Sequence, residues 1–297
     1  MRKSFLFCGA VATALALSAC GSSTTAKKEA IDQFVASFGS SADVQVHLTA
    51  SFTGPTTANS ARVQKILKEV SMDVNVSNPS GAPLSQAAGK ANSEILLNYG
   101  TTSFLAVREV DSNLYVKVDV SALASIPGVN ISSSQAAEVQ LVFGGRWFEL
   151  PKSLFNSLVH TSKVPKAQLA ADQATEAKVL DALSNLIDTT SYKTLSNGYS
   201  ESGTLSSVEK ALAPAIPGLS STATTSTASK GTYALTLTTS GSTVSGVSIS
   251  VSGPYNKTTM ATGSISATIA HAGVTIRAPS PVTAITPSLL ASLGVKG

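Results

Sequence analysis

The chain predicts an α+β fold, one large antiparallel sheet with helices on one side. Three observations point there. Apolar and polar residues alternate along many short stretches, the pattern of strands with one buried and one wet face. Between and beside these lie apolar stripes at helical spacing. The strand-like stretches fall into two blocks that flank a helix-rich middle third, so the strict strand–helix alternation that builds a parallel sheet is missing.

Residues 28–38 are expected to form a short helix, with Ile31, Phe34, Val35 and Phe38 on one face and Gly39 as its stop. In VQVHLTASFT, Val44, Val46, Leu48, Ala50 and Phe52 alternate with Gln45, His47, Thr49, Ser51 and Thr53, which makes a half-buried strand. Val63, Ile66, Leu67 and Val70 fall at i, i+3, i+4 and i+7 and mark a second helix. Met72, Val74 and Val76 return to a period of two. FLAVREVDSNLYVKVDV reads as a hairpin turning at Asp111, Ser112 and Asn113, its second arm carrying Leu114, Val116, Val118 and Val120 on the apolar side.

Residues 121–187 carry helical patterns interrupted by GGRWFELP, a short strand ending at Pro151. The longest helix starts near Pro165, an allowed first-turn position. Its stripe holds Leu169, Ala177, Leu180, Leu183 and Ile187, with Ala170 and Ala174 on the flank. A strand is expected over 192–199, a short helix over 205–212, and a loop in SSTATTSTAS. The last third is a meander: Tyr233, Leu235 and Leu237, then Val247, Ile249 and Val251, then Ile265, Ala267 and Ile269. TTSGSTVS and Gly253-Pro254 supply its turns, and Ser and Thr fill the outward positions.

The N-terminus reads as an export signal. Arg2 and Lys3 precede an apolar run from Phe5 to Leu17 that is too short to span a bilayer as a mature helix. Leu17-Ser18-Ala19-Cys20 resembles the bacterial lipobox, in which the cysteine is diacylated and the chain is cut just before it. Two acyl chains hold a protein on a membrane where one barely does, at about 0.8 kcal/mol per buried methylene. The expected organisation is a signal peptide over 1–19, a lipidated flexible tether over 20–28, and a single sheet-plus-helices domain over 29–297. Cleavage removes Arg2 and Lys3, lowering the formal net charge of +4 by two. So weak a basic balance, with no Lys/Arg cluster, gives no reason to expect a nucleic-acid partner. Cys8 leaves with the signal and Cys20 carries lipid, so the exported domain has no disulfide and rests on an ordinary core.

Residues that could do chemistry are scattered. His47, His160 and His271 lack the spacing of a metal site. GYSESG has one residue too many for a nucleophile elbow, and Ser207-Val208-Glu209-Lys210 lacks the companion motifs of an S-x-x-K enzyme. Glu94, Glu109, Asp111 and Asp119 do not pair as acid and base. Gly144-Gly145 is a turn before a strand and not a phosphate cradle. Trp147 reads as core, with stacking on a sugar or headgroup as the alternative. No enzyme activity and no cofactor are expected.

The lipobox, VDSNLYVKVDVSAL, GGRWFELP and the closing VTIRAPSPVTAITPSLLASLG give the chain a resemblance to actinobacterial envelope lipoproteins of the LppX/LprG type. The resemblance implies a curved antiparallel sheet, a half-open β-barrel like that of the LolA and LolB carriers, with helices covering its concave side. It also implies a lipid or glycolipid held in an apolar cavity between sheet and helices and moved across the envelope. Candidate lining residues are Leu169, Ala177, Leu180 and Leu183 of the long helix and Val247 and Ile249 of a late strand. Only Cys20 carries over as a defined position. The expected molecule is exported, monomeric and lipid-anchored through Cys20 to the outer face of the cell membrane. The alternative is a non-enzymatic structural or interaction module with a solid core.

Overall fold

The structure, a computed structural model, describes residues 25–55, 57–87, 90–132, 144–150, 192–207, 231–254, 259–271 and 273–286, with single positions at 134, 137 and 140. Its α-helices with both ends among the described residues are α1 (Thr25–Ser40), α2 (Ala58–Glu69) and α3 (Val120–Ala124), and a 3-10 turn covers Leu84–Gln86. The strands are β1 (Asp43–Thr53), β2 (Val70–Ser77), β3 (Asn92–Tyr99), β4 (Thr102–Val110), β5 (Asn113–Val118), β6 (Trp147–Leu150), β7 (Lys193–Leu195), β8 (Gly198–Thr204), β9 (Thr232–Ser240), β10 (Thr243–Pro254), β11 (Met260–Ala270) and β12 (Val282–Ala284). Together they form a large open sheet in the order β12-β6-β5-β4-β3-β2-β1-β11-β10-β9-β8-β7. It is antiparallel apart from β12, which runs parallel to β6.

The chain divides into two compact units. One comprises Ser41–Thr49, Lys65–Lys163 and Ala270–Gly297, and holds the start of β1 with β2 to β6 and β12. Its registers align Val46 with Val74, Val74 with Ile95, Ile95 with Val107, Val107 with Val116 and Val116 with Phe148, an apolar row crossing six strands. Successive side chains of a strand point to opposite faces, so the other face carries Asn75, Glu94, Arg108, Tyr115 and Glu149 in the neighbouring row. There Val110, Tyr115 and Ile276 form a small buried cluster with Trp147, Val274 and Val282 packed against it. Asn92 Nδ2 donates to the Ile276 carbonyl and fastens that segment.

The other unit comprises Met1–Ser40, Ala50–Gln64 and Val164–Ile269, and holds α1 with β7 to β11. Helix α1 packs against the start of β10 through Ser37, which is buried. The Ser37 hydroxyl donates to the Gln33 carbonyl at 2.7 Å and accepts from the Val244 amide at 2.7 Å, beside a bulge between Val244 and Gly246. Ala30 and Phe34 are the buried apolar residues of this helix whose side chains are described. Helix α2 starts where Thr57 and Ser60 cap each other. The Ser60 amide donates to Thr57 Oγ1 and the Thr57 amide to Ser60 Oγ, which satisfies two donors that a helix start otherwise leaves open.

Several element limits differ from the sequence reading. Helix α1 runs past Gly39 to Ser40. Val70 opens β2 because it pairs with Tyr99, and Val63 is exposed. Val120 opens α3, where Asp119 accepts a hydrogen bond from the Ala122 amide, so a side-chain cap ends the strand at Val118. The expected strand over 192–199 is a hairpin, β7 and β8, turning at Ser196-Asn197. Of the helix expected over 205–212, residues 205–207 are described and helical. The long helix from Pro165 lies outside the described residues.

Candidate functional site

Strands β9, β10 and β11 carry no charged side chain. Their registers set Leu237, Val247 and Ala267 in one row, Leu235, Ile249 and Ile265 in the next, and Tyr233, Val251 and Gly263 in a third. All nine lie on one face. The opposite face holds Thr236, Ser248 and Ser266, then Ala234, Ser250 and Ser264. A sheet with one apolar face normally buries it. Here Leu237 is buried and Val247 half-buried, whereas Ile249 keeps 46% of its surface in solvent, Val251 39% and Ile265 56%. The face therefore opens outward along β10, and its most apolar row is among its most exposed.

That middle row continues onto β8 and ends in polar groups. Leu235 pairs with Glu201, and continuing the β7–β8 register past Lys193 and Ser200 sets Tyr192 opposite Glu201. Glu201 is 3% exposed and Tyr192 8%. Tyr233, one row along, donates its hydroxyl to Glu201 Oε1 at 2.6 Å. Gly203 makes this reach possible. A Cβ there would lie 2.6 Å from Tyr233 Cε1, so the ring lies across the glycine and carries its hydroxyl diagonally to the carboxylate. The Tyr192 hydroxyl is buried with no hydrogen-bond partner of adequate geometry. Burial, followed by the charge of the nearby Glu201 carboxylate, a weak hydrogen-bonding contact with it, and Tyr233, pushes its pKa well above the ordinary tyrosine value.

In the β2–β6 unit the apolar face is mostly half-buried. Val46, Leu48, Met72, Val74, Ile95, Leu97, Val107 and Val116 all retain solvent contact, while Val44 and Phe148 are buried. The opposite face is tied by polar contacts. Arg108 Nε donates to Glu94 Oε1 at 2.5 Å, Asn75 Nδ2 donates to Glu94 Oε2 at 2.9 Å, and the Arg108 guanidinium sits 4.6 Å from the centre of the Trp147 ring. Arg108 Nη1 also reaches the Arg277 carbonyl. Trp147 is thus held by a cation on one face and by the small buried cluster.

Of the residues singled out from sequence, Val247 and Ile249 share the open face of β10, with Ile249 the more exposed. Cys20, Leu169, Ala177, Leu180 and Leu183 lie outside the described residues. His47 Nδ1 bonds Asp73 Oδ1 at 2.5 Å on β1 and β2, and His271 Nδ1 bonds the Ser41 hydroxyl at 2.7 Å. Asp119 is a helix cap and Glu94 the partner of Arg108. The Tyr192–Glu201–Tyr233 group was not foreseen, because only the β7–β8–β9 register brings those three positions together. A shallow groove at this end of the strands is lined by Ser202, Thr204, Thr232, Ala234, Ser250 and Ser252 together with Gly203 and Tyr233. Among the described residues no cluster of three or more His, Cys, Asp or Glu is placed to hold a metal ion, and no helix is long and apolar enough to cross a membrane. No protein-family model matches the chain, and comparison with curated proteins gives no match.

Proposed function

We propose that the chain is an exported lipoprotein, tethered to the outer face of the cell membrane through Cys20, that binds an apolar ligand such as a lipid or glycolipid and carries it across the envelope without catalysis. In this reading the sheet is curved as a half-open barrel of the LppX/LprG type. Helices, among them the stripe of Leu169, Ala177, Leu180 and Leu183, cover its concave side. One observation carries the proposal: the charge-free apolar face of β9 to β11 leaves Ile249, Val251 and Ile265 exposed. Apolar patches left open on a protein surface mark binding surfaces. Acyl chains laid on this face would leave water at about 25 cal/mol per Å² of apolar surface covered. A solid core would have closed the same rows.

The test is native mass spectrometry of the mature lipoprotein, extracted from membranes in mild detergent. The expected spectrum shows a non-covalent lipid adduct beyond the covalent acyl chains. Ile249→Lys with Ile265→Lys removes the adduct while shifting stability by no more than about 0.5 kcal/mol, because both positions are exposed. A protein that carries only its covalent lipid and takes up none from phosphatidylglycerol vesicles would exclude this function. Adduct loss that tracks unfolding of the double variant would leave the wild-type adduct standing and overturn the placing of the ligand on Ile249 and Ile265.

A further inference from the structure

Glu201 is buried at the end of an otherwise apolar row, and no Lys, Arg or His among the described residues forms an ion pair with it. Its described partner is the Tyr233 hydroxyl, and a carboxylate accepts more than one hydrogen bond. Directly across the register, the Tyr192 hydroxyl is buried beside the Glu201 carboxylate but makes no well-aligned hydrogen bond. Buried polar groups are almost always satisfied, and one left open costs far more than the bond itself is worth in water. An unmet donor and a carboxylate with spare acceptor capacity therefore face each other where the apolar rows end.

We propose that Tyr192 and Glu201 bind a hydroxyl group of the ligand, Tyr192 donating to its oxygen and Glu201 accepting its hydrogen. A hydroxyl offers both a donor and an acceptor in one small group. An ether or ester oxygen would meet Tyr192 and leave Glu201 as it is, and an ammonium would meet Glu201 and leave the phenol donor open. The row Glu201–Leu235–Ile249–Ile265 sets this polar pair at one end and exposed apolar surface at the other. That order suits an amphiphile whose hydroxyl-bearing head lies at β8 and whose chain extends over β10 and β11. The assignment rests on the proposed binding of an apolar ligand and specifies the head of that ligand.

The test compares monopalmitoylglycerol with methyl palmitate, two probes with the same chain that differ in free hydroxyls. Binding to the delipidated full-length lipoprotein is read by displacement of a fluorescent acyl probe. The wild type is expected to bind monopalmitoylglycerol about tenfold more tightly or better, the scale set by one buried hydrogen bond made or left unmade. Tyr192→Phe is expected to cut that preference to about twofold or less, with methyl palmitate bound as before, as expected for one lost hydrogen bond. Its melting temperature should stay about level, since the deleted hydroxyl makes no well-aligned hydrogen bond in the empty protein. Glu201→Gln provides a second variant with the same expected loss of preference. Equal binding of the two probes by the wild type overturns this assignment and leaves the proposed function standing. So does a preference that survives Tyr192→Phe, or tighter binding of hexadecylamine than of either probe. If neither palmitoyl probe binds, the proposed function falls and this assignment with it.

Discussion

A phenol packed against a carboxylate away from water can have its titration moved in one direction only. Tyr192 is buried beside Glu201, and its pKa lies above the ordinary tyrosine value of about 10. The folded chain thus holds this proton more tightly than the unfolded chain does. The stability associated with it is intact below pH ~10 and is lost as pH climbs above that value, at up to about 1.4 kcal/mol per pH unit from this group. Chemical denaturation of the wild type and of Tyr192→Phe should give parallel stabilities from pH 7 to 9. Above pH ~10 the curves should diverge, the variant falling less steeply. Curves that stay parallel to pH 11 would show that the phenol ionises as freely in the fold as in the open chain.

At the scale of elements, the turn between β4 and β5 offers the cleanest check of local physics. Asp111 and Ser112 both have positive φ, 51° and 66°. Two-residue turns of this hand match the twist of paired strands, but they place L residues where a Cβ is unwelcome. Ser112→Gly should therefore stabilise the chain by about 0.5 to 1 kcal/mol, read as a higher melting temperature. A fall would mean that the Ser112 side chain matters to the turn. This hairpin was legible from VDSN between alternating residues, as were β1, β2 and β9 to β11, where a period of two runs unbroken. Strand β3 was not, because Ile95, Leu96 and Leu97 are consecutive apolar residues and hide the alternation that pairing with β2 and β4 imposes. Strand β8 was missed because GYSESGT offers almost no apolar signal, and its place between β7 and β9 makes it a strand. Val247 and Ile249 could be picked out as a shared face. Tyr192, Glu201 and Tyr233 could not, since 32 residues separate Tyr233 from the carboxylate it bonds.

For the whole molecule, the proposed membrane attachment rests on one thiol. Cys20→Ser should release the protein from the membrane fraction, or leave it uncleaved with its apolar run still attached, as cell fractionation with intact-mass measurement would show. A Ser variant that is correctly cut and still sediments with membranes would mean that something other than the acyl chains holds it. Under the proposed attachment the open face of β9 to β11 would work near a lipid surface, yet those strands present no charged side chain of their own. Screening then has nothing there to act on. Occupancy of the face should change by less than about twofold between 50 and 500 mM sodium chloride, whereas sodium sulfate, which strengthens apolar association, should raise it. A tenfold loss in sodium chloride would instead point to charged groups governing the uptake. A surface indifferent to ionic strength would work alike in dilute and in brackish surroundings, a useful property if the proposed export puts the protein where no cytoplasm buffers the salt.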